Sequence, residues 1–221
     1  MPSTNHRHAP RRAILSAVAA TLMAACATDD SAARRDSIVA AAEEAYAASH
    51  RASAPPDTTD SVSRAPAAFT DNNVLARVAQ DDRLEVQVAR IAIGKITSPA
   101  LKDFARQIAD NHSAGESDAR RLSQKLKIPE QPAANDTTKL HQQNLVALFT
   151  RLAKGKAFDT TYVRHLVDGH AAMLRELKAL QARATHPEVK QLLVNAEPEV
   201  QRHLNRAREI GKALTAAKPG A

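Results

Sequence analysis

The sequence predicts an all-α protein, a four-helix bundle with an additional short connecting helix between the second and third long helices. Three observations carry this. Ala, Leu, Arg, Lys, Gln and Glu are abundant and Gly is scarce, six in 221 residues, a composition that favours helix. From Phe69 onward apolar residues recur in alternating steps of three and four, the period of a helix face. No stretch alternates apolar and polar as a half-buried strand does. Aromatic residues make up 3% and Trp is absent, so the core is aliphatic and rich in Ala.

The first long helix is expected from Asn72 to Ile96, capped by Thr70 or Asp71. Ser98-Pro99 then supplies an N-cap and a proline at the first helical position, starting a second helix that runs to Lys127. Ile128-Pro129-Glu130-Gln131-Pro132 stops it. A shorter helix is expected over Thr137–Ala153, ended by Gly155. The third long helix covers Ala157–Ala184, and the fourth starts at His186-Pro187 and ends near Ala216. Pro198 lies inside the fourth and is expected to bend it, because it removes one backbone donor and crowds the preceding turn.

The amino terminus reads as targeting rather than fold. Arg7, Arg11 and Arg12 precede an apolar run, Ala13–Ala25, that is too short to span a bilayer. It ends in Met23-Ala24-Ala25-Cys26, similar to a bacterial lipobox, with Met where Leu is usual. The expected organisation is a lipoprotein-type signal peptide over 1–25, a lipidated Cys26 and flexible tether to residue 68, the bundle over 69–217 and a tail over 218–221. Ala27, rather than Asp, follows Cys26, which by analogy with lipoprotein sorting points to the outer membrane and the periplasm. Cys26 is the sole Cys, so no intramolecular disulfide forms; the bland alternative is an incidental small hydrophobe. Within the tether, Asp36–His50 has the composition of a marginal Ala-rich helix.

The formal charge of +7 falls to +4 without the leader, with 28 Lys and Arg against 24 Asp and Glu. These charges are interspersed, as on a solvated surface. With so few aromatics for base stacking, nucleic acid is not expected as a partner.

Each helical stripe is interrupted near its midpoint by one potential ligand. Glu85 interrupts Leu75, Val78, Asp82, Ala89, Ala92 and Ile96; His112 interrupts Leu101, Ala105, Ile108, Gly115, Ala119, Leu122 and Leu126. His170 and His203 do the same on the third and fourth helices. Helices packed with level ends share a layer at their centres whatever their direction, so these four groups are expected to converge. A buried unsatisfied polar group costs about 1–3 kcal/mol, so they bind one another and water, or a cation. Three imidazoles and a carboxylate suit one transition-metal ion such as Zn, Cu, Fe, Mn or Ni. Asp82, Asp110, Asp168 and Glu199 stand close enough in sequence to orient the ligands, and Tyr162 lies two turns before His170. Gly115 and Gly169, each within a turn of a stripe His, would admit a close approach. His50, His141, His165 and His186 fall off the stripes or in loops and read as solvated. The competing reading of the layer is structural: polar groups in a bundle seam set its register. No nucleophile–base pair and no phosphate-cradling Gly loop is visible, so no reaction is assigned and an enzyme is not favoured. A metal-dependent redox enzyme would need an open coordination position and a channel.

With these residues in view the chain resembles the DUF4142 family, bacterial exported proteins of unknown function placed among ferritin-like folds. The resemblance covers Phe69 to Ile210 and is carried by Glu85 in "RLEVQVARIA", by "LKDFARQIADNH" ending at His112, by "FDTTYVRHLVDGH" with Asp159, Tyr162 and His170, and by Pro198 and His203 in "EPEVQRHL". It implies a ferritin-like bundle. Three positions depart from the family pattern: Asn111 where Asp is usual, Leu166 where Met is common, and Glu197 before Pro198 where an apolar residue is common. The Glu-x-x-His pattern of di-iron bundles is missing from the stripes, which argues against ferroxidase chemistry. The expectation is a membrane-tethered bundle binding one metal ion through Glu85, His112, His170 and His203. The alternative is a structural or interaction protein of the cell envelope, with an envelope protein as its partner.

Overall fold

The computed structural model describes residues 70–134 and 136–216, together with Glu44. The leader, Cys26, the tether and the tail lie outside the described residues; of the expected Asp36–His50 helix only Glu44 is described, and it is helical.

Five helices follow: α1 Asp71–Lys95, α2 Pro99–Leu126, α3 Thr138–Arg151, α4 Lys156–Arg183 and α5 Pro187–Ala216, with no strand among the described residues. α1 is capped at Thr70, whose backbone N–H donates to Asn73 Oδ1 at 2.8 Å. Ser98 caps α2 with Pro99 directly behind it, so the chain turns from α1 into α2 within three residues. α2 ends where Lys127 takes the left-handed conformation, φ 54°, and the Ile128 N–H returns to the Ser123 carbonyl at 3.0 Å. α3 stops two residues earlier than expected; Lys95 Nζ donates to the carbonyls of Phe149, Thr150 and Leu152, satisfying its C-terminal end.

α1 packs against α2 and α4 against α5, as two hairpins; α2 also meets α5, and α3 lies along α1. A clamp at each end fixes one hairpin on the other. The Asp71 carboxylate, at the start of α1, accepts from Thr185 N–H (2.9 Å), Thr185 Oγ1 (2.6 Å) and His186 N–H (3.0 Å) in the α4–α5 link. The Asp159 carboxylate, in the first turn of α4, accepts from Thr97 N–H, Thr97 Oγ1 (2.6 Å) and Ser98 N–H (2.9 Å) in the α1–α2 link. Asp159 follows Asp71 by 88 residues, and Thr185 and Pro187 follow Thr97 and Pro99 by the same 88. The two hairpins therefore repeat one plan, each holding the other's link.

The apolar stripes face inward as predicted, and no stripe residue is exposed. They fill two clusters. One holds Ile96, Leu101, Phe104, Phe149, Phe158 and Ile210; the other holds Leu75, Leu177, Leu180, Val189 and Leu193. α5 runs unbroken through Pro198. That ring is exposed, and the carbonyl it cannot pair, Val194, belongs to an exposed residue, so water can satisfy it. No described helix is long and apolar enough to cross a membrane.

Candidate metal centre

The gap between the two apolar clusters holds the polar groups. On α2 one cluster ends at Ala109 and the other resumes at Leu122; on α4 the break falls between Val167 and Met173, on α5 between Val200 and Ala207. His112, His170 and His203 occupy these breaks, at 5%, 0% and 1% exposure. Each offers a ring nitrogen within 4.8 Å of the other two. The closest pair, His112 Nε2 and His170 Nε2, is 3.4 Å apart. Nitrogens on one tetrahedral ion at 2.0–2.1 Å lie about 3.3 Å apart, a spacing that the His112–His170 pair matches.

Each ring has one nitrogen beside an oxygen. His112 Nδ1 lies 2.7 Å from Asp82 Oδ1. His170 Nδ1 donates to the Leu166 carbonyl at 2.8 Å, one helical turn back. His203 Nε2 lies 3.0 Å from Glu199 Oε1, also one turn back, and its Nδ1 has no hydrogen-bond partner. Asn111 lies between: its amide nitrogen donates to Glu199 Oε1 and stands 3.0 Å from His203 Nε2. With an oxygen at Nδ1 of both His112 and His170, the Nε2 atoms of these two rings are the ones turned to each other.

Two of the three rings are held neutral. Burial pushes His170 down to about 4 and His203 down to about 3, the latter helped by its two neighbouring rings, so both are neutral ligands at neutral pH. Burial also pulls at His112, but Asp82 outweighs it and the net shift is upward. Asp82 itself is pushed up by burial against the pull of His112. Burial raises Glu199, and Arg202, His203 and Asn111 hold it below the usual range.

Asp82 reaches His112 because residue 115 is glycine. A Cβ there would stand 2.6 Å from Asp82 Oδ2 and 3.1 Å from its Cγ. Gly169 is different: its nearest atoms, Glu85 Oε1 and His165 Cε1, would lie at an ordinary 3.9 Å.

Glu85 is not among the converging group. On α1 the break between clusters falls near Asp82; Glu85 lies one turn beyond, beside Leu84 and Val88 of the first cluster. There it is 4% exposed, with Oε1 3.4 Å from His165 Nε2. Burial raises its carboxyl, and His165, then His170 and His112, bring it below the ordinary range. His165 corrects the expectation of a solvated side chain: it is 2% exposed, with its ring 5.2 Å from that of Phe149. The signal was a second stripe on α4, Phe158, Tyr162 and His165, which α3 covers. His186 is partly exposed and pairs with Glu188 at 2.8 Å, and His141 is half-buried.

Asp110 and Asp168 are exposed and do not flank the imidazoles; a residue next to a buried one on a helix points about 100° away. Asp168 faces Arg164 at 3.7 Å. Asp159 is buried but belongs to the clamp on Thr97 and Ser98. The Tyr162 hydroxyl is buried without a hydrogen-bond partner, and burial together with the Glu85 charge raises it well above the usual phenol range. Asn111, one of the three departures from the family pattern, is the amide that bonds Glu199.

A cavity of ≈ 330 Å³ opens beside the cluster, reaching His112 and His203 and running between Val78, Leu177 and Leu193. The family described as Domain of unknown function (DUF4142) matches the chain over residues 56–210. No curated protein and no solved structure matches it. The family match spans most of the chain and includes every residue of the three-histidine layer: the chain belongs to the DUF4142 family.

Proposed function

We propose that this is a lipid-tethered envelope protein whose bundle holds one transition-metal ion through His112, His170 and His203. One observation carries it: three buried imidazoles meet within 4.8 Å, and each has one ring nitrogen beside an oxygen that can orient it. His170 Nε2, whose partner nitrogen is spent on the Leu166 carbonyl, faces His112 Nε2 with no carboxylate or carbonyl between them. Carboxylate and carbonyl partners fix the tautomers and raise the basicity of metal-bound imidazoles in the same way. Neutral nitrogen donors suit Zn, Cu, Fe, Mn or Ni. With Glu85 turned to His165, three protein ligands leave a fourth position, next to the cavity.

The tether reading rests on Arg7, Arg11 and Arg12, the short apolar run and Cys26, and places the bundle in the periplasm on the outer membrane. A structural layer within an envelope interaction protein is the second reading, favoured by the 3.4 Å separation of His112 and His170, close enough for one shared proton.

The test is metal content by mass spectrometry on tag-free protein from the periplasm, alongside His112→Ala, His170→Ala and His203→Ala. One metal per chain, lost in each variant, is the expected result. Metal-free protein that stays metal-free after reconstitution overturns the reading.

A further inference from the structure

The two apolar clusters are filled differently. The first holds the rings of Phe104, Phe149, Phe158 and Tyr162; the second, among the described residues, holds no aromatic side chain. The cavity of ≈ 330 Å³ lies against the second, bounded by all four long helices. The 88-residue repeat accounts for it. Gly115 and Leu192, which line the cavity, are the counterparts of His203 and Phe104. In the first half those two rings pack together, with centroids 6.0 Å apart. The second half has a hydrogen and an isobutyl group in their places. The inward stripes register the difference. Val78, Met173, Leu192 and Ala196 line the cavity and are only half-buried, whereas their counterparts Leu166, Glu85, Phe104 and Ile108 are all buried.

Protein interiors are ordinarily close-packed, so an aliphatic space of this size is exceptional. An apolar cavity of about 150 Å³ stays dry and takes up benzene, and this one is about twice as large. Its acids offer no free charge to a ligand. Asp118 pairs with Arg121, Glu199 with Arg202 and Asp82 with His112. Asp81 and Glu176 share Arg77, and burial pushes Asp81 up to about 8, which leaves Glu176 as the charge that Arg77 balances. We propose that the cavity binds a small uncharged ring compound, about one or two rings in bulk, which covers Val78, Met173, Leu192 and Ala196 as Phe104 and His203 cover their counterparts in the other half. No ring nitrogen of the histidine layer is used, so this proposal and the metal reading can fail separately.

The experiment is calorimetric titration of the EDTA-treated full chain at pH 7 with indole-3-ethanol, tryptamine and indole-3-acetate, one ring system with an uncharged, a cationic and an anionic end. Indole-3-ethanol binds at least tenfold more tightly than either charged compound, because burying an unpaired charge costs more than burying a hydroxyl. Leu192→Phe restores the ring that the repeat has at Phe104 and weakens indole-3-ethanol at least tenfold, with the melting temperature unchanged or raised. Ala196→Leu, on the same wall, takes its place if the Phe variant does not fold. No binding of indole-3-ethanol, a preference over either charged compound below tenfold, or a loss below tenfold in the folded variant overturns the proposal.

Discussion

Asn111 donates a hydrogen bond to Glu199, the residue 88 positions further on. The same 88 separates Asp71 from Asp159 and Pro99 from Pro187. The bond thus joins equivalent points of two repeated hairpins, where α2 and α5 meet. The repeat is broken in chemistry, an amide on one helix and a carboxylate on the other. That difference lets the pair bond directly, with both groups 3.0 Å from His203 Nε2.

Metal binding should stabilise the fold and depend on the three histidines alone. At a Zn²⁺ concentration 100 times its Kd, the ion adds about 2.7 kcal/mol, or roughly 5–10 °C in melting temperature for a chain of this size. His112→Ala, His170→Ala and His203→Ala abolish that rise. Glu85→Gln retains it, although it lowers the metal-free stability by about 1–3 kcal/mol through the weakened contact with His165. A calorimetric scan with and without Zn²⁺ checks both; loss of the rise in Glu85→Gln would put Glu85 back among the ligands.

Two alanine substitutions separate packing from positioning. Gly115→Ala drives a Cβ into Asp82 and pushes that carboxylate off His112. Zn²⁺ affinity then falls about 10- to 100-fold, the usual cost of losing a ligand's orienting partner. Gly169→Ala meets only ordinary contacts and gains helix propensity, so it raises stability by about 0.5–1 kcal/mol with affinity unchanged. Competition with a chromophoric chelator measures the affinities, and equal losses in the two variants would refute the assignment to Asp82.

The clamp at Asp71 should make stability depend on acid. Burial opposes the carboxylate, but Thr185 and then His186 hold its pKa below the ordinary value near 3.8. The unfolded chain therefore binds the proton more tightly. The stabilisation is fully present above the unfolded value and is lost as pH falls through the lower folded value. Asp71→Asn costs about 1–3 kcal/mol at pH 7, and the gap to the parent narrows below about pH 4. Urea unfolding at pH 7 and pH 3 tests this; a gap that widens in acid would reverse the sign.

Tyr162→Phe should leave the fold as stable or make it more stable, by up to about 1–2 kcal/mol. The hydroxyl is buried without a partner, so removing it relieves a desolvation cost while the ring keeps its contacts with Phe149 and Phe158. Thermal unfolding shows the outcome, and a loss above 1 kcal/mol would reveal an ordered water or ligand on that oxygen.

By itself the sequence determined the helices, their limits and the inward faces, because propensity, Ser98-Pro99, the Pro129–Pro132 stop and the three-and-four spacing are local and act within a few residues of one another. It also placed His112, His170 and His203 at mid-helix, and level helix ends were enough to bring them together. What only the tertiary structure decided was which neighbours answer those rings. Asp82 rather than Glu85 reaches His112, because the break between apolar clusters falls at Asp82 and Gly115 makes room for it. Asp110 and Asp168 sit beside ligands in sequence and point to solvent. His165 is buried because α3 covers a second face of α4, which no single helix's period reveals. Periodicity fixes direction around one axis to within a turn, whereas a hydrogen bond needs ångström placement between helices, and that is set by packing.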